Sequence, residues 1–222
     1  MIIMTTIHST NGCSPTIFGS VSRARATATF AEASTSMSTA VAPLPDNYRT
    51  LSTDLLLRAY ESAPERLREA LSGLTADQLR ARPIPGKWSI VEIAVHLTDA
   101  ELMGATRIRL ALAEPGASLV VYDQTRWAEA FRYVDASPAE VEQAIALFGA
   151  VRAATAPLFH SVSGDDWERR YALHPEFGTL TLRALLELYA DHGDRHIAQI
   201  LERRRLLGAP TEVELLLPER LY

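Results

Sequence analysis

From Asp46 onward, apolar residues recur every three or four positions, the spacing of helices with one buried face. Leu51, Leu55, Tyr60, Leu67 and Leu71 predict a first helix, which Pro64 kinks or divides because proline lacks the N–H that its turn requires. Thr75-Ala-Asp-Gln78 has the form of a capping box and predicts a short helix, and Pro83-Ile-Pro-Gly-Lys87 predicts a turn. A second capping box, Ser89-Ile-Val-Glu92, opens a long apolar-periodic segment that runs to about Ala113 and is stopped by Glu114-Pro-Gly116. Residues 116 to 136 carry aromatics and charges without a clear period and read as a long loop, a feature often tied to function. Ser137-Pro-Ala-Glu140 combines an N-cap, a proline at the first helical position and the capping-box glutamate. It predicts a helix carrying Val141, Ile145, Phe148, Val151 and Leu158 to about His160, with Pro157 perturbing the last turn. A loop follows around Asp165-Asp-Trp167 and His174-Pro-Glu-Phe-Gly178. Thr181 then caps a final long helix to about Leu207, ended by Gly208 and Pro210. Four long helices, no convincing strand run and no internal repeat predict an all-α bundle.

The amino-terminal stretch departs from this pattern. Residues 1–44 are rich in Ser, Thr and Ala, carry a single acid (Glu32) and show no sustained period. They read as a disordered tail or as a start placed too early, with Met37 as the true start. A rarer reading is an organelle transit peptide, since Arg23 and Arg25 lie in an acid-poor, Ser-rich stretch. The domain is therefore expected over 45–222.

Composition narrows the function classes. The 222 residues are 47% hydrophobic and 22% charged, which supports one good-sized core. A formal net charge of -5, with acids and bases interleaved, argues against a nucleic-acid surface. No apolar run reaches the roughly 18 residues of a membrane-spanning helix, and Met1-Ile2-Ile3-Met4 is too short for a signal peptide's apolar region. The one cysteine, Cys13, excludes an internal disulfide and fits a cytoplasmic protein.

The chemistry centres on histidine. His192 and His196 stand four apart within the last predicted helix, so both rings project from one face and can ligate one ion. His96 lies mid-segment in the second long helix among Ile93, Ala94, Leu97 and Ala100, where an inward ring can complete the set. Three neutral imidazoles leave a coordination position open and suit Zn, Ni, Cu or Fe. The competing account is that these are core or surface histidines with ordinary hydrogen-bond partners. Asp99 and Glu92 beside His96, and Asp191 and Asp194 beside His192, are placed to orient the rings, although acids on helices are usually solvated. Arg195, and from the second helix Arg107 and Arg109, are candidates for holding an anionic substrate, against a solvated face or surface pair. His8, His160, His174 and Cys13 carry no comparable signal, and there is no Gly-rich phosphate loop, CxxC pair or GxSxG elbow.

These residues also form longer strings. Pro85-Gly-Lys-Trp-Ser-Ile-Val-Glu-Ile-Ala-Val-His96-Leu-Thr-Asp99 resembles the second-helix signature of the DinB-like superfamily. Arg107-Ile-Arg-Leu-Ala-Leu-Ala-Glu114, Tyr122-Asp-Gln-Thr-Arg-Trp127-Ala-Glu129, His174-Pro-Glu-Phe-Gly178 and Leu188-Tyr-Ala-Asp-His192-Gly-Asp-Arg-His196-Ile-Ala resemble its YfiT branch, in order, over roughly 46 to 208. The resemblance implies an antiparallel four-helix bundle with an internal three-histidine site near one end, its ligands matching His96, His192 and His196 individually. It implies one divalent metal ion per chain, Zn or Ni, a small-molecule substrate, and no nucleic-acid or membrane partner. Members of the branch are described as metal-dependent hydrolases. Relatives are thiol S-transferases that use bacillithiol, with mycothiol or glutathione in cousins, and members are often cytoplasmic homodimers. The reading that follows is a transferase joining a low-molecular-weight thiol to an electrophile. A hydrolase using metal-bound water and a non-catalytic stress-response bundle are the alternatives. The chain departs from the branch at Arg195, where another histidine is common, and at Glu101-Leu-Met103, which replaces a His- and Asn-containing stretch. Residues 1–44 have no counterpart.

Overall fold

Helix termini set the frame. In a computed structural model of the chain, residues 46–218 are described; the expectations for residues 1–44, including Met37, His8 and Cys13, lie outside them. A 3-10 turn at Asp46–Thr50 leads into α1 (Thr53–Leu71) and the short α2 (Ala76–Arg80). Next come α3 (Ile90–Ala113), β1 (Ala117–Ser118), α4 (Gln124–Ala130), a 3-10 turn at Tyr133–Asp135, and α5 (Pro138–His160). The chain ends with α6 (Asp166–Arg169), β2 (Tyr171–His174), β3 (Gly178–Thr181) and α7 (Leu182–Leu206). The three expected capping boxes form at Thr75, Ser89 and Ser137, and Thr181 caps α7 by accepting from the Ala184 N–H. Arg203, Arg204 and Arg205 lie in the last turn of α7, where cations complement the helix dipole.

The long helices α1, α3, α5 and α7 make the expected four-helix bundle, each packing on two of the others. Side-chain contacts give the directions. Trp88 and Arg203, then Gly104 and Tyr189, meet in opposed order, so α3 and α7 are antiparallel. The Tyr60–Phe159 and Pro64–Gly149 contacts make α1 and α5 antiparallel as well. Thr53–Arg183, Arg66–Asp194 and Ala70–Arg204 run in register, so α1 and α7 lie parallel. Thr98–Ala144 and Arg109–Thr155 do the same for α3 and α5. A parallel pair of consecutive long helices needs a long connection back along the bundle. Residues 114–137 make that return.

That return is more ordered than the loop expected there, since it holds β1, α4 and a 3-10 turn. The second expected loop holds α6 and the β2–β3 hairpin. β1 pairs parallel with β2 and β2 antiparallel with β3, giving a three-stranded sheet in which Ala172 and His174 face inward. These strands are two to four residues long, too short for a two-residue period to register in sequence.

The apolar core falls into two clusters along the bundle. One gathers Tyr60, Ile108, Phe159, Leu182 and Leu186, and the other Leu67, Ile93, Leu97, Phe148, Ile197 and Ile200. Each such side chain, when fully buried, contributes about 1.5–3 kcal/mol. Charged and polar side chains on the same helices are buried alongside the clusters, among them Glu101, Arg152, Asp191 and Asp194. Pro64 does not divide α1, which is continuous from Thr53 to Leu71. The carbonyl of Tyr60, which a proline at 64 leaves without its helical donor, accepts from Arg152 Nη1 at 2.7 Å instead. Among the described residues, no helix is long and apolar enough to cross a membrane.

Candidate metal centre

His96 reaches the interior because the Ser89 capping box fixes the first turn of α3. The Ser89 hydroxyl accepts from the Glu92 N–H, while the Glu92 carboxylate accepts from the Ser89 N–H at 2.8 Å. Arg82 binds the same carboxylate at 2.9 and 2.5 Å, so Glu92 anchors the helix start. Arg203 Nε donates to the Trp88 carbonyl at 2.7 Å, tying that end of α3 to α7. The Trp88 ring then lies 4.8 Å from the His96 ring, centroid to centroid.

The three predicted histidines come together. His96 Nε2 and His192 Nε2 are 3.2 Å apart, and one ligating nitrogen from each of His96, His192 and His196 falls within 4.8 Å of the others. The rings meet edge to face, with centroids 5.1, 5.0 and 4.5 Å apart. His96 and His196 are buried, and His192 keeps part of its surface open. Burial holds the His96 pKa down to about 3, with the nearby Arg195 charge adding to the effect. Burial likewise holds His192 and His196 well below the ordinary histidine range, followed by the neighbouring histidines and Arg195. All three rings are therefore neutral near pH 7, the form in which imidazole offers a lone pair to a metal.

The donor set fits a divalent ion. Two nitrogens about 2.0–2.1 Å from a tetrahedral metal lie about 3.3–3.4 Å apart, close to the separation seen between His96 and His192. Without a cation, at most one hydrogen bond can relieve the facing lone pairs of two such rings.

Gln199, which sequence reasoning missed, supplies an orienting contact. Its Oε1 lies 3.0 Å from His196 Nδ1, which places the proton on Nδ1 and leaves Nε2 as the ligating atom. The only signal for it was its place one turn beyond His196. The Nδ1 atoms of His96 and His192 are buried and have no hydrogen-bond partner among the described residues.

The expected carboxylate partners serve other groups. Asp99 accepts from the Tyr133 hydroxyl. Asp191 accepts from Tyr48 at 2.7 Å. Asp194 pairs with Arg66 at 2.6 Å and accepts from the N–H groups of Leu216 and Leu217 at 2.7 and 2.9 Å. These acids tie segments together and are not on the imidazoles, because better donors reach them first. Arg195 stands 3.8 Å from the Asp191 carboxylate and close enough to all three rings to affect their protonation. Arg107 donates to the Tyr189 hydroxyl at 3.2 Å and to the Val120 carbonyl at 3.0 Å. Arg109 turns away, to Thr155 and the carbonyls of Ala105 and Ala154. His160 sits at the surface beside Glu61, at 2.5 Å.

The family model described as the DinB superfamily matches residues 59–200. A Geobacillus kaustophilus protein named "Putative metal-dependent hydrolase" is 29% identical over 152 residues, covering 68% of this chain and 84% of the relative. An Oceanobacillus iheyensis protein of the same description is 29% identical over 140 residues, covering 63% of this chain and 78% of its own. Among solved structures, YfiT from Bacillus subtilis, described as "a probable metal-dependent hydrolase with an unusual four-helix bundle topology", superposes with a TM-score of 0.66 at 26% identity. The match covers 71% of this chain and 90% of that one.

Proposed function

The chain belongs to the DinB superfamily, and from that premise we propose that it is a metal-dependent enzyme whose ion is held by His96, His192 and His196. The observation that carries this reading is the convergence of three neutral imidazoles from α3 and α7 within 4.8 Å. We assign one divalent ion per chain, zinc or nickel. Held there, such an ion supplies Lewis acidity that lowers the pKa of a thiol or a water at its open position.

The proposed reaction joins a low-molecular-weight thiol to an electrophilic small molecule. Two features of the surroundings support a thiol. Among the described residues, the acids nearest the rings in sequence are engaged by Tyr133, Tyr48 and Arg66, and a thiol acidified at the site needs no carboxylate base. Arg195 brings a positive charge to the three rings, where it would hold an anionic part of the thiol co-substrate. The Trp88 ring packs beside His96, while Gln199 keeps His196 in the ligating tautomer. Hydrolysis is the second reading, favoured by the descriptions given to the relatives. Under either reading the partner is a small molecule and neither nucleic acid nor membrane, and the protein acts as a cytoplasmic homodimer.

Elemental analysis of the purified chain, beside a His192→Ala/His196→Ala double variant, tests the metal. The expectation is about one equivalent in the parent and little in the variant. A parent that is empty and fails to take up added zinc or nickel overturns the reading. For the reaction, loss of free thiol in step with loss of electrophile supports transfer, and consumption of electrophile without thiol supports hydrolysis.

A further inference from the structure

Arg107 projects from α3 into a cluster that the metal centre does not account for. Its Nη1 and Nη2 donate to a phenol and a carbonyl, and no carboxylate pairs with it among the described residues. Its Nε–H is buried and has no hydrogen-bond partner there. A buried donor left unmade on a charged group costs more than an ordinary hydrogen bond gains, so such groups are rare unless a ligand completes them.

Two further donors come to the same place. The Leu119 N–H donates to the Leu173 carbonyl at 2.8 Å, while Arg107 holds the Val120 carbonyl. The chain at 119–122 and the end of β2 at His174 therefore meet around this arginine, and the Arg107 charge bears on both Tyr122 and His174. His174 Nδ1 accepts from the Glu176 and Phe177 N–H groups at 3.2 and 3.3 Å, which places the proton of the neutral ring on Nε2 as a donor. Tyr122 offers a hydroxyl, and its ring lies 4.3 Å from Trp127. The cluster joins the metal centre through Tyr189, which accepts from Arg107 and whose ring lies 6.5 Å from that of His192. Eleven residues along a helix separate the Cα atoms of His96 and Arg107 by about 16 Å. Helical side chains lean toward the amino terminus, which brings the guanidinium back toward the histidines.

We propose that Arg107, with Tyr122 and His174, forms a second subsite that binds the anionic group, a carboxylate or phosphate, of the small-molecule substrate whose reactive atom meets the metal. The assignment rests on the metal-enzyme reading for its role in turnover, but the subsite itself is built from donors outside the ligand set. It predicts that a thiol co-substrate carrying such an anionic group is preferred to a neutral thiol of the same shape.

Direct binding separates the two ideas. The full chain, metal-loaded and metal-stripped, is titrated with malonate and separately with inorganic phosphate at constant ionic strength, reading the fluorescence of Trp127 against a Trp127→Phe control. The expected result is a saturable change in both forms, weakened about tenfold or more in Arg107→Met and several-fold in Tyr122→Phe. The stronger probe tells carboxylate from phosphate. Arg107→Met is checked by circular dichroism, and if it is unfolded then Arg107→Lys and Tyr122→Phe decide. Parent-like binding in folded variants, or no saturable response in the parent, overturns the subsite while leaving the metal result untouched. A parent that binds malonate but no metal keeps the subsite and removes the metal reading.

Discussion

Two polar clusters lie inside the same bundle, one drawn from all four long helices and the other from α3 and α7, and they are built on opposite principles. In the first, Arg152 Nε meets the Glu101 carboxylate at 2.8 Å, and its two terminal nitrogens donate to the carbonyls of Tyr60 and Tyr189 at 2.7 Å each. The Tyr60 hydroxyl takes the other Glu101 oxygen at 2.6 Å, and the guanidinium lies over the Tyr60 and Phe148 rings at 4.2 and 4.5 Å. In this cluster each donor has an acceptor and the charges cancel. In the second, three neutral imidazoles turn ligating nitrogens toward one another, and two Nδ1 atoms have no partner among the described residues. The first cluster completes itself, while the second leaves ring nitrogens without partners among the described residues, as the proposed metal site requires. Buried polar groups of one fold thus divide into those that hold it and those that await a ligand, and counting partners tells them apart.

The largest expected effect tests the self-completed side. Arg152→Met leaves Glu101 charged and unpaired in the core and strips the Tyr60 and Tyr189 carbonyls of a donor. Removing one member of a buried pair costs about 3–5 kcal/mol, so urea unfolding followed by circular dichroism should show a loss of that size. His192→Ala in the metal-free protein should change stability by less than about 1 kcal/mol, because it removes crowding among lone pairs as well as packing. The double variant Glu101→Leu/Arg152→Met should recover much of the loss. If Arg152→Met and His192→Ala cost the same, the contrast between the clusters is broken.

The two clusters were not equally legible beforehand. The histidine set could be read because four-residue spacing fixes a shared helix face whatever the tertiary structure. The helix starts were equally plain, since each capping box is a local exchange of hydrogen bonds. Arg152 gave no signal, because an arginine on a helix normally reads as a solvated residue and only α1 and α7 beside it show otherwise. Its bond to the Tyr60 carbonyl also explains why Pro64 leaves α1 whole, a compensation made by a residue 88 positions away along the chain. The parallel pairing of α3 with α5 was hidden for the same reason, although the length of the 114–137 return was its trace. Asp99, Asp191 and Asp194 were expected at the rings, but proximity in sequence could not weigh Tyr133, Tyr48 and Arg66 as competing donors.

A second and smaller effect sharpens the other side of the comparison. His96 is held at a pKa of about 3 in the folded protein, while an unfolded histidine titrates near about 6.5. Between those values the unfolded chain takes a proton that the folded one refuses. Stability of the metal-free protein should therefore be flat with respect to this group above about pH 6.5, then fall as the pH drops toward 3, by up to about 1.4 kcal/mol per pH unit. His96→Gln should flatten the curve by that amount, and the difference between parent and variant isolates the ring from the carboxylates that also titrate. Urea midpoints from pH 7.5 to 4.5 measure it. Identical slopes would mean that His96 accepts its proton inside the fold, and the cluster would then differ less from the Arg152 network than its geometry indicates.

The smallest effect on the fold is expected at Gln199. Its only assigned contact in the cluster is with His196 Nδ1, and the residue is partly exposed, so Gln199→Ala should change stability by less than about 1 kcal/mol. Metal affinity should nonetheless fall, because the ring loses the acceptor that keeps its proton off the ligating nitrogen. Loss of such an orienting partner typically lowers affinity by about 10–100-fold. Gln199→Glu retains an acceptor at the same reach and should bind at least as tightly as the parent. Competition for zinc against a chromophoric chelator gives the affinities, and thermal unfolding gives the stability. In the Arg152 network, losing one acceptor would be felt by the whole fold. At Gln199 the same loss should be felt only by the ligand, and an unchanged zinc affinity in Gln199→Ala would assign His196 a tautomer fixed by its buried surroundings alone.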